Sequence, residues 1–329
     1  MEDAGRRRKK VHEGDLWPAW RAYWHPVAFA EEVGDKPLAV RLLDERIAVC
    51  RLGGRAAAFH DLCIHRGTPI SLGRVEGEHV VCAYHGWAYD AGGKCVRIPS
   101  VPPGHPIPKK ACLTRYLTQE RYGLVWVCLD EKPRAPIPEF PMLEDPDVRW
   151  VYRDRRIWNC SAARAIENFL DLGHLPWVHE GILGDREQPL TPDIDVVQDG
   201  EEIRFTVDQR PDKSHDNPFQ RIYRVNRPFA VSMLKEEADG NAELLVFVCT
   251  PHTARESTRC VLIGRNHEPP PEAARIETFN NTIIEQDRTI VENQRPEELP
   301  LDLTEELHLK GPDAPALAYR RMMRELGVE

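Results

Sequence analysis

From Pro37 to about Asp130 the apolar positions come in short runs, each cut off by glycine or acidic turn formers. Leu38–Leu43, Ile47–Leu52 and Ala56–His60 are three such runs, separated by Asp44-Glu45 and Gly53-Gly54. Val80–Cys82, Trp87–Tyr89 and Cys95–Ile98 continue the pattern, with Asp90–Lys94 as a further turn, and Gly123–Leu129 closes it. Runs this short with punctuation this regular predict the strands of a small all-β domain. Prolines 133, 136, 138, 141 and 146 then predict a stiff, extended connector over Lys132–Pro146. The domain boundary is placed there, with one domain over 18–134 and a second over 135–329. In the second, a helix is predicted over Ser161–Asp171 and strands over Ile203–Val207, Gln220–Val225, Leu244–Cys249 and Cys260–Gly264. A long helix over Pro271–Gln294 and a last one over Ala316–Leu326 follow. Strands followed by a long helix point to an α+β domain, the helix lying across an antiparallel sheet.

At 329 residues the chain has room for two domains with separate cores. A net charge of −9 argues against nucleic acid as the main partner, because phosphate binding needs surplus Lys and Arg. No apolar run approaches the ~20 residues that span a bilayer, so no membrane role is expected. The basic cluster Arg6–Lys10 reads as a solvated tail, and without an apolar stretch after it no secretory signal is expected. Nine cysteines, an odd number without regular spacing, fit a cytoplasmic chain with reduced thiols rather than a disulfide scaffold. Some of those thiols are then free to bind metal.

Cys63-x-His65 and Cys82-x-x-His85 carry the strongest chemical signal. Each pair falls in a loop at the end of a predicted strand, followed by turn formers: Gly67 and Pro69 after the first, Gly86 after the second. Two loops that each offer one thiolate and one imidazole suit a two-iron cluster, with both Cys on one iron and both His on the other. Exchanging two thiolates for neutral imidazoles raises the potential to about −150 mV or above, against about −400 mV for an all-Cys ferredoxin. The competing readings are zinc, or unligated cysteines and histidines in a β core; zinc fingers, however, pair Cys with Cys and His with His in sequence. Cys50, Cys128, Cys249 and Cys260 lie in apolar strands and read as core, while Cys95, Cys112 and Cys160 have no usable partner spacing.

A second candidate site lies in Glu167–His179, which brings Asp171, His174 and His179 together. Residues five apart do not share a helix face, but Pro176 between the histidines distorts the helix and lets both imidazoles face one ion. In the late helix Ile276, Phe279, Ile283, Ile284, Ile290 and Val291 form an apolar stripe with Asp287 inside it. A carboxylate turned toward a core needs a partner, and a cation supplies one. Two His and one carboxylate make the facial triad that leaves positions open on iron(II). The plainer readings are ordinary packing for the histidines and pairing of Asp287 with Arg288 or Arg295; Glu285 and Glu292 are rival carboxylates off the stripe.

Together these segments resemble the oxygenase α-subunits of the Rieske non-haem iron family. The motifs are C-x-H-R-G at Cys63–Gly67, C-x-Y-H-G-W at Cys82–Trp87, N-x-x-D-x-x-H-x₄-H at Asn168–His179, and Glu285-Gln-Asp-Arg288. Ala83, where many members carry proline, is a departure at a position that is no ligand. Tyr23–Val27, Gln119–Val127, Gly184–Arg186 and Ala318–Arg321 are similar to the single-component monooxygenases, which include vanillate and dicamba O-demethylases, methylxanthine N-demethylases and saxitoxin-pathway hydroxylases.

The resemblance implies a [2Fe–2S] Rieske cluster on Cys63, His65, Cys82 and His85, and a mononuclear Fe(II) on His174, His179 and Asp287. It implies an enzyme that uses O₂ to hydroxylate, or to O- or N-demethylate, a small ring-containing substrate. Electrons would come from a separate NAD(P)H-dependent reductase, directly or through a ferredoxin, since no dinucleotide-binding glycine motif is present. It implies a head-to-tail homotrimer in which Asp171 bridges His174 to the partner subunit's His85. Two alternatives stand: an electron-transfer protein whose second domain is not catalytic, and a cis-diol dioxygenase with a separate β-subunit. Phe169, Trp177, Tyr223, Met233 and Phe247 are candidate pocket walls, each also able to serve as core.

Overall fold

The structure, a computed structural model, describes residues 14, 17–209, 219–267 and 273–326, so Arg6–Lys10 and the predicted helix start at 271–272 lie outside the described residues. The chain divides into two compact units. One comprises Arg21–Pro138 with Thr250–Thr253; the other comprises the N-terminal segment through Trp20, Glu139–Cys249 and Ala254–Glu329.

The first unit is all β. Strands β1 (His25–Phe29), β2 (Leu38–Leu42), β3 (Glu45–Leu52), β4 (Arg55–His60), β9 (Arg115–Arg121) and β10 (Leu124–Cys128) form a sheet in the order β1-β10-β9-β4-β3-β2. Strands β5 (Arg74–Glu76), β6 (His79–Val81), β7 (Ala88–Tyr89) and β8 (Cys95–Arg97) form a second sheet in sequence order. The paired strands are antiparallel. Gly53 and Gly54 turn β3 into β4 with φ of +55° and +81°, a conformation glycine adopts without steric cost. Leu43 and Asp44 make the equivalent turn before β3, with φ of +50° and +63°. That is why the first strand stops at Leu42, one residue short of the predicted run. The core includes Ala48, Cys50, Phe59, Ile70, Val80, Tyr89 and Leu113, and Cys63 and Cys82 belong to the same buried cluster.

The second unit is built on a seven-stranded antiparallel sheet. Its strands are β11 (Arg149–Trp158), β12 (Val197–Asp199), β13 (Glu202–Gln209), β14 (Phe219–Asn226), β15 (Ala230–Glu237), β16 (Ala242–Thr253) and β17 (Glu256–Arg265), in the order β11-β17-β16-β15-β14-β13-β12. A single helical turn, α1 (Trp17–Trp20), places Trp20 edge-on to Phe229 with ring centroids 4.8 Å apart. Four further helices matter for the site: α2 (Ala162–Leu170), α3 (Leu175–Val178), α4 (Ala273–Val291) and α5 (Ala314–Leu326). Among the described residues no helix is long and apolar enough to cross a membrane.

Local chemistry explains the helix ends. Ser161 caps α2 by accepting from the Arg164 amide at 3.2 Å, and Ala162, Ala163 and Ala165 are small enough to bury the helix on several sides. Asp171 closes it in an extended conformation, and its Oδ1 accepts from the Gly173 amide at 2.8 Å. α4 corrects the expected stripe. Ile276, Ile284 and Val291 are buried, whereas Phe279 and Ile290 are about half exposed, so the buried seam is narrower than the run of apolar residues. Asp287 lies on that narrower seam, three residues after Ile284 and four before Val291.

Candidate functional site: two metal centres

The cluster donors sit in two loops of similar build. In the loop between β4 and β5 the Gly67 amide donates to Cys63 O at 2.9 Å, and in the loop between β6 and β7 the Gly86 amide donates to Cys82 O at 3.0 Å. Both glycines have φ near +70° (+69° and +68°), which lets each loop turn straight back after its ligands. Cys63 and Cys82 are buried at 3% and 2% exposure, whereas His65 is half-buried and His85 exposed. The sulfur end thus rests on the core and the imidazole end faces outward. The two imidazoles lie 4.5 Å apart edge-on, and Trp87 stacks on His65 at 4.4 Å with the planes 8° from parallel. His65 Nδ1 is buried without a hydrogen-bond partner, as a nitrogen reserved for a metal would be.

The electrostatics agree with that use. Partial burial first, then the charges of His85 and Arg66, hold His65 below its ordinary pKa and favour the neutral ring that binds iron. Burial pushes the Cys82 thiol up and Cys63 adds to the effect, while the Tyr84 and His85 amides pull it down. Tyr89 Oη lies 3.1 Å from Cys63 Sγ. Burial and that contact raise the phenol well above its ordinary range, so it stays protonated and can donate to a cluster thiolate. Tyr89 has no role in the sequence reading, where it is only a strand residue.

The second candidate centre joins two elements, α3 and α4. His174 is the N-cap of the one-turn helix α3 and His179 its C-cap, with Pro176 in the first turn. The distortion expected from Pro176 is therefore a separate short helix. The donor atoms of His174, His179 and Asp287 all lie within 4.8 Å of one another. His174 Nε2 is 3.3 Å and His179 Nε2 3.0 Å from Asp287 Oδ1. Neither arginine rival holds Asp287: Arg288 pairs with Glu285 at 2.6 Å, and Arg295 hydrogen-bonds the Glu292 and Gln294 carbonyls. Glu285 also binds Arg156, and Glu292 accepts from the Asn159 amide, so both rival carboxylates are occupied.

Burial opposes the charge on Asp287, yet hydrogen bonds from both imidazoles hold its carboxyl below the ordinary range. Burial likewise opposes charge on His174, but Asp171 and Asp287 lift it to about 9. A buried carboxylate that draws a proton onto its neighbour is an arrangement suited to a cation. The donor set, two imidazoles and one carboxylate, fits iron(II).

Surrounding residues fix the geometry. Asp171 Oδ2 lies 3.5 Å from His174 Nδ1, a loose ion pair, and that buried nitrogen makes no hydrogen bond. His179 Nδ1 meets Gln286 Oε1 at 2.8 Å, and Asn168 Nδ2 reaches Asp287 Oδ1 at 3.5 Å. Gly184 presses on α3 so closely that a Cβ there would fall 2.6 Å from Pro176 N and Cα. Arg320 donates to Glu167 through Nε and Nη2 at 2.5 and 2.7 Å and to Glu306 at 2.6 Å, and Arg164 donates to Glu306 at 2.7 Å. Both arginines are nearly fully buried, and the network ties α5 to the helix that carries Asn168.

Of the expected pocket walls, Phe169, Tyr223 and Phe247 come together. Phe169 lies 5.1 Å from Phe247 and 6.0 Å from Tyr223, and Tyr223 stacks on Phe205 at 4.6 Å. Trp177 does not join them: it is 57% exposed with Arg186 over its ring. Met233 is only half-buried.

A cluster-type donor set on one unit and a two-His, one-carboxylate site on the other define a Rieske-type oxygenase. Residues 23–117 match the Rieske [2Fe-2S] domain, and residues 158–329 match the vanillate O-demethylase oxygenase C-terminal domain. The chain is 32% identical to methylxanthine N1-demethylase NdmA of Pseudomonas putida over 93% of its own length and 89% of that protein's. The structure of NdmA with caffeine superposes with a TM-score of 0.85 at 31% identity, covering 94% of this chain and 92% of that one. NdmB from the same organism superposes at 0.87 with 27% identity, covering 97% and 94%. The chain belongs to the Rieske non-haem iron oxygenase family, in the group of the vanillate and methylxanthine demethylases. It is an oxidoreductase with a [2Fe–2S] Rieske cluster and a mononuclear iron, and as an oxygenase component it takes electrons from a reductase. An electron carrier with an idle second domain is thereby set aside.

Proposed function

We propose that this oxygenase removes an N- or O-methyl group from a small planar ring compound. The observation that carries the reading is the convergence of His174, His179 and Asp287, with the aromatic group of Phe169, Phe247 and Tyr223 begun on the same helix, α2, as Asn168. Iron on those three donors would supply oxidation by O₂. Overall, a methyl group, O₂, two electrons and two protons give the demethylated ring, formaldehyde and water. The protein's own part is placement: aromatic faces hold a flat ring by offset or edge contact, and the two histidines and Asp287 fix the reacting centre.

Asp171 is proposed to carry coupling between subunits of a head-to-tail homotrimer. Its side chain is 43% exposed, and His85 is exposed beside Tyr84, so each end is open to a second copy. The reductase is proposed to be NAD(P)H-dependent, and the setting cytoplasmic, with none of the nine cysteines in a disulfide. The test is turnover with a surrogate reductase on a panel of N-methyl and O-methyl ring compounds. Formaldehyde equal to substrate consumed is expected for at least one member. A cis-diol, or a hydroxylated ring that keeps every methyl, would contradict it.

A further inference from the structure

Both nitrogens of His179 are gripped by consecutive residues of one helix. Asp287 Oδ1 lies 3.0 Å from Nε2, and Gln286 Oε1 lies 2.8 Å from Nδ1. Successive helix positions turn by about 100°, so Asp287 reaches the ring from the buried seam and Gln286 from its flank. His179 is only 1% exposed, so the ring cannot exchange either contact for water. An amide oxygen only accepts, so its partner Nδ1 must carry a proton, and Nε2, facing Asp287, is the nitrogen that would give up its proton to a metal.

His174 is held differently. Its Nδ1 faces the half-exposed Asp171 at 3.5 Å without a hydrogen bond, and Asp171 is already committed to the Gly173 amide. One ligand thus leans on a movable charge and the other on a fixed neutral amide.

We infer that Gln286 is a positioning residue for the iron centre, holding His179 in the tautomer and orientation that present Nε2 to the metal. The inference rests on the iron reading of His174, His179 and Asp287. Outer-sphere partners of metal-bound histidines fix ring orientation, and their loss costs about 10- to 100-fold in metal affinity. Gln286 also lines an open groove along α4 with Thr282 and Thr289, so a replacement of similar length has room without repacking the core.

The test compares Gln286→Met, which keeps length but offers only a weak acceptor, with Gln286→Glu, which keeps an acceptor. Anaerobic calorimetry of Co(II) binding would use holoprotein with its cluster intact and its mononuclear site emptied. Melting temperature and the cluster's EPR signal serve as folding controls. The Met variant is expected to bind about 10- to 100-fold more weakly with an unchanged cluster signal, and the Glu variant within a few-fold of wild type. A Met variant within twofold of wild type would overturn the inference, whatever its melting temperature. Equal losses in both variants would overturn it too, since shape rather than the accepted proton would then matter. Wild-type protein that takes up no Co(II) would overturn the iron reading as well; tight wild-type binding with an unaffected Met variant overturns the inference alone.

Discussion

The two candidate metal centres are built by different means. The cluster donors are local: each loop supplies one Cys and one His within four residues, and a positive-φ glycine turns the chain immediately afterwards. The thiols lie in the hydrophobic core of their unit. The mononuclear donors are assembled instead from the ends of a one-turn helix and from α4, more than a hundred residues later. Around them lie residues outside the donor set: Gln286 against His179, Gly184 against Pro176, and the Arg164–Arg320–Glu167–Glu306 network. The first centre depends on loop geometry and the second on tertiary packing, so damage far from the chemistry should reach only the second.

The largest effect should come from the buried network. Arg320→Met would leave buried Glu167 with only the Arg164 guanidinium, 3.8 Å away, and cost about 3–5 kcal/mol. Calorimetric unfolding should show the catalytic unit melting earlier while the cluster's EPR signal in the native protein is unchanged. A loss of cluster signal in step with that shift would break the comparison.

Next in size, Gly184→Ala should cost about 1–3 kcal/mol, because its Cβ would meet the Pro176 backbone and one of the two segments must move. Iron per chain should fall while acid-labile sulfide stays constant. Unchanged iron would mean that α3 tolerates displacement.

The smallest effect is a pH dependence. Burial opposes the charge on Glu306, but hydrogen bonds from Arg164 and Arg320 hold its carboxyl below 4.5. A carboxylate depressed in the folded state contributes stability that is full above 4.5 and fades as pH falls through the lower, folded value. The stability gap between wild type and Glu306→Gln should therefore be constant near neutrality and narrow only below pH 4.5. A gap that narrows instead toward alkaline pH would contradict the assignment.

Legibility in the sequence follows the same division. The cluster loops were readable because ligands and turn residues are neighbours. α2 was readable end to end, since Ser161 and Asp171 are its caps. β11 was missed because its charged residues hide the alternation: Tyr152 and Trp158 are buried, but Asp154 and Arg156 between them make ion pairs with Arg259 and Glu285. β15 was missed as well, its second half being polar. On α4, Asp287 stands out in the sequence by its place among apolar residues, although the buried seam is narrower than that run. Gln286 gave no signal, because a polar residue on a helix flank is what solvent alone would select. Its role appears only when His179 is placed against it.

The most direct test of two independently held centres is iron and acid-labile sulfide per chain, in wild type and in Asp287→Ala, purified anaerobically. The account predicts about three irons and two sulfides in wild type, and about two and two in the variant. A variant that keeps the third iron, or loses cluster iron and sulfide along with it, would contradict the account.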